Sequence, residues 1–331
     1  MKWNAAIVGL GQIGMGYDFD QTGVQLTHAT AYHYHSDFHL IAGIDPHSDR
    51  RSLFEKKFKA RSYSSIEEFA ADPANAVTHC LSIASPSKEH ANSFFQIQKQ
   101  RKQLPQLKMI LCEKPLSDSL EDARNMVAQA KAEKWLLATN YIRRTIPEFK
   151  ALQNEIQNGN WGALQKGTVF YTKGLLNSAS HWIDLLRFFF GEPTDIRLLA
   201  KGSRRPIISE VQDYEPDFSL QFKEGEIYFC ACDDSQYTVG TIELLMTKGC
   251  IKIYDCGLFI DRFALGSDSL APKLQVLIPN PHTTKTQLSQ NMKFVLDDLA
   301  ECLQSQRESI SNGESGLKTI EIAGTLIQSI R

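Results

Sequence analysis

The chain has 331 residues, more than the ~250–300 at which a single core usually stops growing, so we expect two domains. Its formal net charge of −2 provides no general field for binding nucleic acid or an anionic membrane. It lacks an apolar run of membrane-spanning length and a signal-peptide pattern, and its seven cysteines lie in apolar segments, so we expect a cytoplasmic protein with reduced thiols. The expected partners are small molecules or further copies of the chain.

The first predicted element is a short apolar strand that ends in a glycine-rich turn with the spacing G-x-G-x-x-G. The first glycine permits a sharp turn, the second lets backbone approach a pyrophosphate, and the third lets helix and strand pack closely. Free N–H groups at the start of the following helix can then bind phosphates. The turn predicts a dinucleotide site formed by Gly9, Gly11, Gln12, Ile13 and Gly14.

The second predicted strand ends in Asp45. An acid at this point accepts hydrogen bonds from the adenosine ribose and repels a 2′-phosphate, which favours NAD over NADP. Arg50 and Arg51 follow closely and keep NADP open as the cofactor. An aspartate that merely caps a helix in an ordinary βα loop is the alternative interpretation.

An insertion from Tyr17 to Leu26 separates the glycine turn from its helix, which Thr27 is predicted to cap. The insertion begins like a calcium loop, but Ala29 stands where that loop needs a glutamate. The nearby histidines lack the spacing of a zinc site, so we expect no metal. We interpret the insertion as a polar loop over the cofactor or the substrate.

Apolar runs alternate with helical stretches through the first 140 residues, the pattern of a parallel sheet built from βαβ units. From about residue 164, short strands separated by glycine turns predict a largely antiparallel sheet. Two helices, near residues 288–307 and 314–330, are predicted to close the chain. The pattern therefore predicts an α/β protein whose two parts have different sheets.

Lys114 follows a predicted strand at the edge where open α/β sheets bind ligands. Burial beside a cationic nicotinamide ring would lower the pKa of this lysine, so that it could transfer a proton near neutral pH. A surface lysine that pairs with Glu113 is the simpler alternative.

A second candidate for proton transfer lies in a helix predicted to begin near Asn177 and to end at Gly191. Helical spacing places Asn177, His181 and Asp184 on one face of it. Histidine titrates near neutral pH, which suits His181 to carry the proton of a hydroxyl group. A structural histidine held by Asp184 is the alternative.

Together, the glycine turn, Asp45, the Glu113-Lys114-Pro115 segment and the helix of His181 resemble the Gfo/Idh/MocA oxidoreductases, which include glucose-fructose oxidoreductase and inositol dehydrogenase. The resemblance implies a doubly wound Rossmann domain in residues 1–140. It also implies a C-terminal α/β domain in residues 141–331, with a large, mostly antiparallel open sheet for substrate binding and for assembly into homodimers or homotetramers.

The resemblance also assigns roles to individual residues. Lys114 would contact the nicotinamide ribose and the reacting hydroxyl, with His181 as its acid/base partner, and a cis bond before Pro115 is favoured. The further residues implied at the cofactor are Ser85, Pro86, His90 and Glu113. Those implied at the substrate are Tyr141, Arg143, Asn177 and Asp184.

The chain departs from the family motif D-x-G-x-H-x-x-D, because Asn177 and Ala179 replace its Asp and Gly. An amide cannot accept a proton, so Asn177 can orient a hydroxyl while Lys114 and His181 transfer the proton. The segment THATAY at residues 27–32 resembles members that act on sugars or nucleotide sugars. We therefore expect an NAD(P)-dependent oxidoreductase for a secondary alcohol of a sugar, nucleotide sugar or cyclitol, with NAD as the preferred cofactor.

Three other functions stay open at this stage. A member of the same family could use bound NAD transiently to cleave a glycosidic bond. A non-catalytic, NAD-binding regulatory protein would not need both Lys114 and His181, and a purely structural protein would not need the Glu-Lys-Pro segment at this sheet edge.

Overall fold

The computed structural model describes residues 2–206 and 212–330. The chain divides into two compact units, Met1–Thr145 with Ser289–Ile320, and Ile146–Leu288 with Glu321–Arg331. This division differs from a single boundary near residue 140, because the segment from Ser289 returns to the first unit. Its helix contributes Met292, Val295, Leu296 and Leu299 to the apolar core there, and burial of that face holds the segment in place.

Six parallel strands form the sheet of the first unit: β1 (Trp3–Val8), β2 (Phe38–Ile44), β3 (Arg61–Tyr63), β4 (Cys80–Ile83), β5 (Met109–Cys112) and β6 (Leu136–Thr139). Their order is β3-β2-β1-β4-β5-β6. The strands are apolar and mostly buried, as expected for a parallel sheet with helices on both faces. The order reverses between β1 and β4, which makes the carboxyl ends of these strands the usual ligand crevice of a doubly wound sheet.

The described residues contain nine α-helices: α1 (His28–Tyr34), α2 (Ser48–Phe58), α3 (Ile66–Ala71), α4 (His90–Lys99), α5 (Leu120–Ala132), α6 (Pro147–Gln157), α7 (Ser180–Phe190), α8 (Asn291–Ser305) and α9 (Gly313–Ile330). Thr27 caps α1 as predicted, by accepting the Thr30 N–H. Ser119 caps α5 by accepting the Asp122 N–H, and the Ser117 hydroxyl accepts the Ser119 N–H. None of the helices in the described ranges combines the length and hydropathy needed to cross a bilayer.

The second unit contains a nine-stranded sheet: β7 (Leu164–Tyr171), β8 (Asp195–Pro206), β9 (Gln212–Gln221), β10 (Glu226–Ala231), β11 (Gly240–Met246), β12 (Gly249–Tyr254), β13 (Phe259–Ser267), β14 (Gln275–Leu277) and β15 (His282–Lys285). Its order is β14-β13-β12-β11-β7-β10-β9-β8, and β15 also pairs with β13. The β7–β10 pair is parallel and the other pairs of this sheet are antiparallel, which confirms the predicted sheet type.

Candidate functional site

The turn after β1 can form only because two of its positions are glycines. Gly9 has φ +97°, and a Cβ there would lie 2.5 Å from the backbone nitrogen of Ser85. A Cβ on Gly14 would lie 2.1 Å from the Gly9 carbonyl oxygen. These neighbours are backbone atoms that cannot rotate away, so both positions require glycine. The turn continues as a single π-helical segment, Gln12–Gly16.

Gly11 has a different environment from the other two glycines of the motif. The only described atom within 4 Å of its Cβ position is Nη1 of Arg50, at 4.0 Å. The space beside the Gly11 backbone is therefore open, whereas Gly9 and Gly14 are packed against the chain. Gln12 is exposed and Ile13 is half-buried in the same turn. An extended anion can approach the backbone at this point.

Asp45, at the end of β2, is bound to the glycine turn. It is 2% exposed, its Oδ2 accepts the Leu10 N–H at 2.8 Å, and its Oδ1 accepts the His47 N–H at 2.9 Å. Nη1 of Arg50 lies 3.4 Å from Oδ2. Arg51 donates to the carbonyl of Asp45 itself at 2.8 Å, so it holds the loop backbone. A carboxylate has about four acceptor positions, so Asp45 retains capacity for a further hydroxyl donor.

Glu113 lies at the carboxyl end of β5, within a buried polar network. Its Oε1 is 2.9 Å from Nε2 of His28 and 2.6 Å from the amide nitrogen of Asn140, which follows β6. An ionised carboxylate accepts but cannot donate, so Nε2 is the protonated nitrogen of the His28 ring in this contact. Burial raises the pKa of Glu113, but the contacts with His28 and Asn140 and the nearby charge of Lys114 lower it below its ordinary value.

Lys114 itself is half-buried and follows Glu113 at this sheet edge. The peptide bond between Lys114 and Pro115 is cis, as the resemblance implied. The carbonyl of Pro115 accepts a hydrogen bond at 2.7 Å from Nδ1 of His90. The Lys114 backbone is therefore flanked on both sides by residues that are fixed through side-chain contacts.

His90 connects the segment that follows β4 to the segment that follows β5. It is 1% exposed, and its Nε2 lies 2.9 Å from the carbonyl oxygen of Ser85. Burial lowers the pKa of His90, while the carbonyl of Pro115 and the charge of Glu113 oppose this shift. Because both ring nitrogens face backbone carbonyls, His90 is suited to bracing the loop that carries Ser85 and Pro86 rather than to contacting a cofactor directly.

In the second unit, Asn177 lies outside the helix to which the sequence assigned it. Residues Leu175–Ala179 form a π-helical turn, and α7 begins only at Ser180. The predicted i, i+4 and i, i+7 alignment of Asn177 with His181 and Asp184 assumes a regular α-helix, whereas the π-helical turn changes the spacing at Asn177, so the shared face stays a prediction. His181 is half-buried in the first turn of α7.

The π-helical turn is held by Asp213 of β9, a residue that the sequence analysis did not single out. Its carboxylate oxygens accept the Leu176 N–H at 2.9–3.0 Å and the Asn177 N–H at 3.0 Å. A Cβ on Gly174, which has φ +88°, would lie 2.2 Å from Oδ2 of Asp213. Burial raises the pKa of Asp213, although these N–H donors oppose that shift. The conformation of the chain at Asn177 thus depends on a buried carboxylate.

Asp184 is 1% exposed and lies 3.6 Å from Nη1 of Arg187, which also pairs with Glu192 at 2.6 Å. This position suits Asp184 to the internal structure of α7 more than to a direct substrate contact. Tyr141 and Arg143, which follow β6 in the first unit, are also buried, at 2% and 9% exposure. Their predicted contacts with substrate stay predictions.

The chain is similar to known proteins in residues 3–141. Residues 3–141 match the family GFO_IDH_MocA, described as an oxidoreductase family with an NAD-binding Rossmann fold. Residues 3–141 belong to the Gfo/Idh/MocA oxidoreductase family. This relationship agrees with the strand order and the glycine turn, and it confirms the resemblance drawn from the sequence motifs.

Two curated Gfo/Idh/MocA relatives and one solved structure illustrate the similarity. Myo-inositol 2-dehydrogenase from Thermotoga maritima is 30% identical over 47% of this chain and 41% of its own length. Trans-1,2-dihydrobenzene-1,2-diol dehydrogenase from Mus musculus is 28% identical over 66% of this chain and 67% of its own length. The WlbA dehydrogenase from Bordetella pertussis, solved with NADH and UDP-GlcNAcA, aligns with a TM-score of 0.74 at 18% identity over 100% of this chain and 97% of its own, which shows a shared fold.

The glycine turn of this Gfo/Idh/MocA domain fits a dinucleotide. The open side of Gly11 leaves room for a pyrophosphate, and Asp45 lies where the second strand ends beside the turn. Gly9, Gly11, Gln12, Ile13, Gly14 and Asp45 would hold the adenosine and phosphate portions. Hydride exchange at the nicotinamide ring is the chemistry that such a cofactor supplies when bound.

Sequence reasoning missed four polar residues: Asp18, His28 and Asn140 in the first unit, and Asp213 in the second. His28 and Asn140 lay inside segments quoted for the resemblance, but no local spacing connects them to Glu113, which is 85 residues from His28. Asp18 lay in the insertion, where the calcium-like pattern drew attention to ligands instead of hydrogen bonds. Nothing in the sequence around Asp213 indicates that it contacts Asn177.

Proposed function

We propose that this chain is an NAD-dependent oxidoreductase that moves a hydride between nicotinamide and a secondary alcohol of a sugar, nucleotide sugar or cyclitol. The observation that carries the proposal is the open backbone at Gly11 within a family oxidoreductase domain, beside the sheet edge that bears Lys114. The names of the relatives support the substrate class, since they refer to myo-inositol, a dihydrodiol and UDP-GlcNAcA.

In the proposed reaction, Lys114 and His181 are the acid/base groups for the proton of the reacting hydroxyl. A lysine and a histidine can each hold that proton while the carbon is oxidised, and can return it in the reverse direction. Asn177 offers an amide, so we assign it the orientation of a substrate hydroxyl. Tyr141 and Arg143 are proposed to contribute further polar contacts to the substrate.

We propose NAD rather than NADP as the cofactor because of the charge on Asp45. Its two accepted backbone N–H groups keep the carboxylate beside the turn, where it would repel a 2′-phosphate. Arg50 lies 3.4 Å from Asp45 and offsets part of this charge, so we expect a partial preference for NAD over NADP.

The decisive experiment measures NADH formation by the purified protein on a panel of sugars, nucleotide sugars and cyclitols, together with NAD affinity by calorimetry. Lys114→Ala should lower kcat by about a hundredfold or more, as expected for loss of a general acid/base group, while NAD affinity changes little. Lys99→Ala, on the exposed side of α4, is the matched control and should behave as the wild type. Unchanged kcat in Lys114→Ala would overturn the assignment.

The same measurements separate the alternative functions. Hydrolysis of a glycoside with retained NAD and no net NADH would identify transient use of the cofactor. NAD binding without turnover on any substrate would favour a regulatory protein, and failure to bind either dinucleotide would contradict the proposal outright.

We also propose that the sheet of the second unit mediates assembly into a homodimer or homotetramer. Side chains of β7 and β11 alternate between buried and exposed, and the exposed set includes Phe170 at 41% and Leu245 at 44%. Apolar side chains on an open sheet face favour association with another copy. Light scattering should show an oligomer for the wild type and a smaller species for Leu245→Glu.

A further inference from the structure

The inserted segment is fixed to the start of α1 by one buried carboxylate. Asp18 is 0% exposed, and its Oδ2 accepts the N–H groups of Leu26 at 2.7 Å and Thr27 at 3.1 Å. Its Oδ1 accepts the hydroxyls of Thr27 at 2.6 Å and Thr30 at 2.9 Å. Since four donors converge on one carboxylate, the insertion determines where α1 begins.

The first residue of α1 is His28, and its imidazole lies fully buried against Glu113. Nε2 of His28 lies 2.9 Å from Oε1 of Glu113, whose Oε2 is 3.3 Å from the backbone nitrogen of Lys114. Asp18 in the insertion therefore fixes Thr27, which is covalently bonded to His28, and the His28 ring in turn contacts the residue that precedes Lys114. Asn140 supports the same carboxylate oxygen from the end of β6.

We propose that His28 is a positioning residue for Lys114, which holds the Glu113 carboxylate in place beside the lysine, and that the insertion sets the position of His28 through Asp18. The inference rests on the proposed function, in which Lys114 transfers the proton. It gives the insertion a role in supporting the lysine, in addition to any contact that the loop makes with a ligand.

A purely structural explanation accounts poorly for this network. Burying a carboxylate and an imidazole is costly, and apolar residues of similar size often stabilise a fold as well or better. Two atoms of the network, Nδ1 of His28 and Oδ1 of Asn140, are buried without a hydrogen-bond partner in the described part of the chain. A network selected only for stability would satisfy both atoms. These residues do, however, keep Glu113 ionised.

Several charged or titratable groups act on Glu113 from the surrounding segments. His28 faces it from α1, His90 from the start of α4, and Cys112 and Lys114 from its own segment. The attraction between Glu113 and Lys114 is mutual, so loss of the carboxylate charge should increase the fraction of Lys114 that is present as free amine. That fraction can be measured without knowing the substrate.

The test uses three substitutions of buried histidines in the full chain. His28→Leu removes the donor, and His28→Gln can place an amide nitrogen near the position of Nε2. His35→Leu is the matched control, because His35 is also buried and its Nε2 lies 3.0 Å from Asp297. We expect His28→Leu to lower kcat about tenfold, with NAD affinity within about twofold and partial rescue by His28→Gln, as for a lost orienting contact. His35→Leu should keep the wild-type kcat.

A second readout is acylation of Lys114 by acetic anhydride at a fixed, mildly alkaline pH, measured by peptide mass spectrometry. His28→Leu should raise the labelling of Lys114 relative to wild type, because the carboxylate loses the donor that holds it beside the lysine. Glu113→Gln removes the charge outright and should raise this labelling roughly three- to tenfold. Because its amide oxygen can still accept from His28 and Asn140, this variant tests the charge with the contacts retained. His35→Leu should label as the wild type does.

Wild-type labelling of Lys114 in both His28→Leu and Glu113→Gln would overturn the proposal. Equal losses of kcat in His28→Leu and His35→Leu would also overturn it, since general destabilisation would then explain the effect. If the wild type oxidises no substrate on the panel, the proposed function fails, while the labelling comparison still decides whether His28 and Glu113 control Lys114.

Discussion

The Oδ2 atom of Asp45 accepts the backbone N–H of Leu10 at 2.8 Å, so the residue expected to select the cofactor also holds the glycine turn. Three roles therefore meet in one carboxylate. Recognition of the ribose depends on its acceptor capacity, discrimination against a 2′-phosphate depends on its charge, and the shape of the turn depends on its contact with Leu10.

Asp45→Asn separates the charge from the contact. The amide oxygen can still accept one backbone N–H, but the negative charge beside Arg50 is lost, so affinity for NADP should rise relative to NAD. We expect the ratio of kcat/KM for NAD to that for NADP to fall about tenfold, equivalent to ~1.4 kcal/mol. A wild type that clearly prefers NADP would contradict the assignment of Asp45.

The glycine motif can be tested with two substitutions that differ only in what the new methyl group meets. Gly14→Ala would place a Cβ 2.1 Å from the Gly9 carbonyl oxygen, so we expect destabilisation of about 1–3 kcal/mol in chemical unfolding. Gly11→Ala meets only Nη1 of Arg50, at 4.0 Å, so its stability should stay near that of the wild type. Its Kd for NAD should nevertheless rise about tenfold or more, because the methyl group fills the space for the pyrophosphate.

Equal NAD affinity in Gly11→Ala and the wild type would show that the phosphates bind elsewhere. Calorimetric titration with NAD, together with urea unfolding of the same samples, distinguishes that result from a general loss of folded protein.

Asp213→Asn should alter both activity and the pH dependence of stability. The amide cannot accept all the N–H groups that the carboxylate accepts from Leu176 and Asn177, so kcat should fall about tenfold as the turn at Asn177 loosens. Asp217→Asn, on the same strand, is the matched control for kcat, because Asp217 accepts the N–H of Ala231 instead.

Burial raises the pKa of Asp213, so protonating this residue costs less in the folded state than in the unfolded chain. The stabilisation that this provides is fully present below the unfolded-state pKa of about 3.9 and is lost as pH rises through the higher folded-state pKa. The free energy of unfolding of the wild type should therefore decline over this acidic range relative to Asp213→Asn. An identical pH profile for the two proteins would contradict the raised pKa.

Asn177→Asp restores the acid of the family motif at a position whose N–H lies 3.0 Å from the Asp213 carboxylate. If Asn177 occupies the usual catalytic position, the variant should retain or exceed the wild-type kcat, because a carboxylate can accept the proton that an amide cannot. The nearby charge of Asp213 disfavours ionisation of the new acid, so the gain should increase with pH. An inactive but folded variant would indicate that the amide itself binds substrate.

Prediction from sequence succeeded where the signal is local. Period-two and βαβ patterns identified both sheet types, and Thr27 was correctly assigned as the cap of α1 because capping depends on neighbours three residues apart. The same kind of reasoning predicted a regular α-helix at Asn177, where the structure has a π-helical turn. The predicted spacing of Asn177 from the rest of the helix requires a regular α-helix. The π-helical turn, which contacts with Asp213 hold in place, interrupts that regularity.

Strands β13, β14 and β15, at one end of the sheet, were also missed. Their segments are mostly exposed or half-buried, so the alternation of apolar and polar residues that marks a buried strand is weak there. These segments form strands because they pair with β12 and with each other. Their own composition does not favour a strand.

By itself, the sequence determined the order of the sheets, the glycine turn, the placement of Lys114 at a strand end and the family of the first domain. These features depend on residues within one strand, turn or helix, and their physical causes act over a few positions. Only the tertiary structure decided which polar groups meet: Asp45 with Leu10, His28 with Glu113, and Asp213 with Asn177. Such contacts join residues 35 or more positions apart, and they form because each buried polar atom needs a partner wherever the packed core brings one within reach.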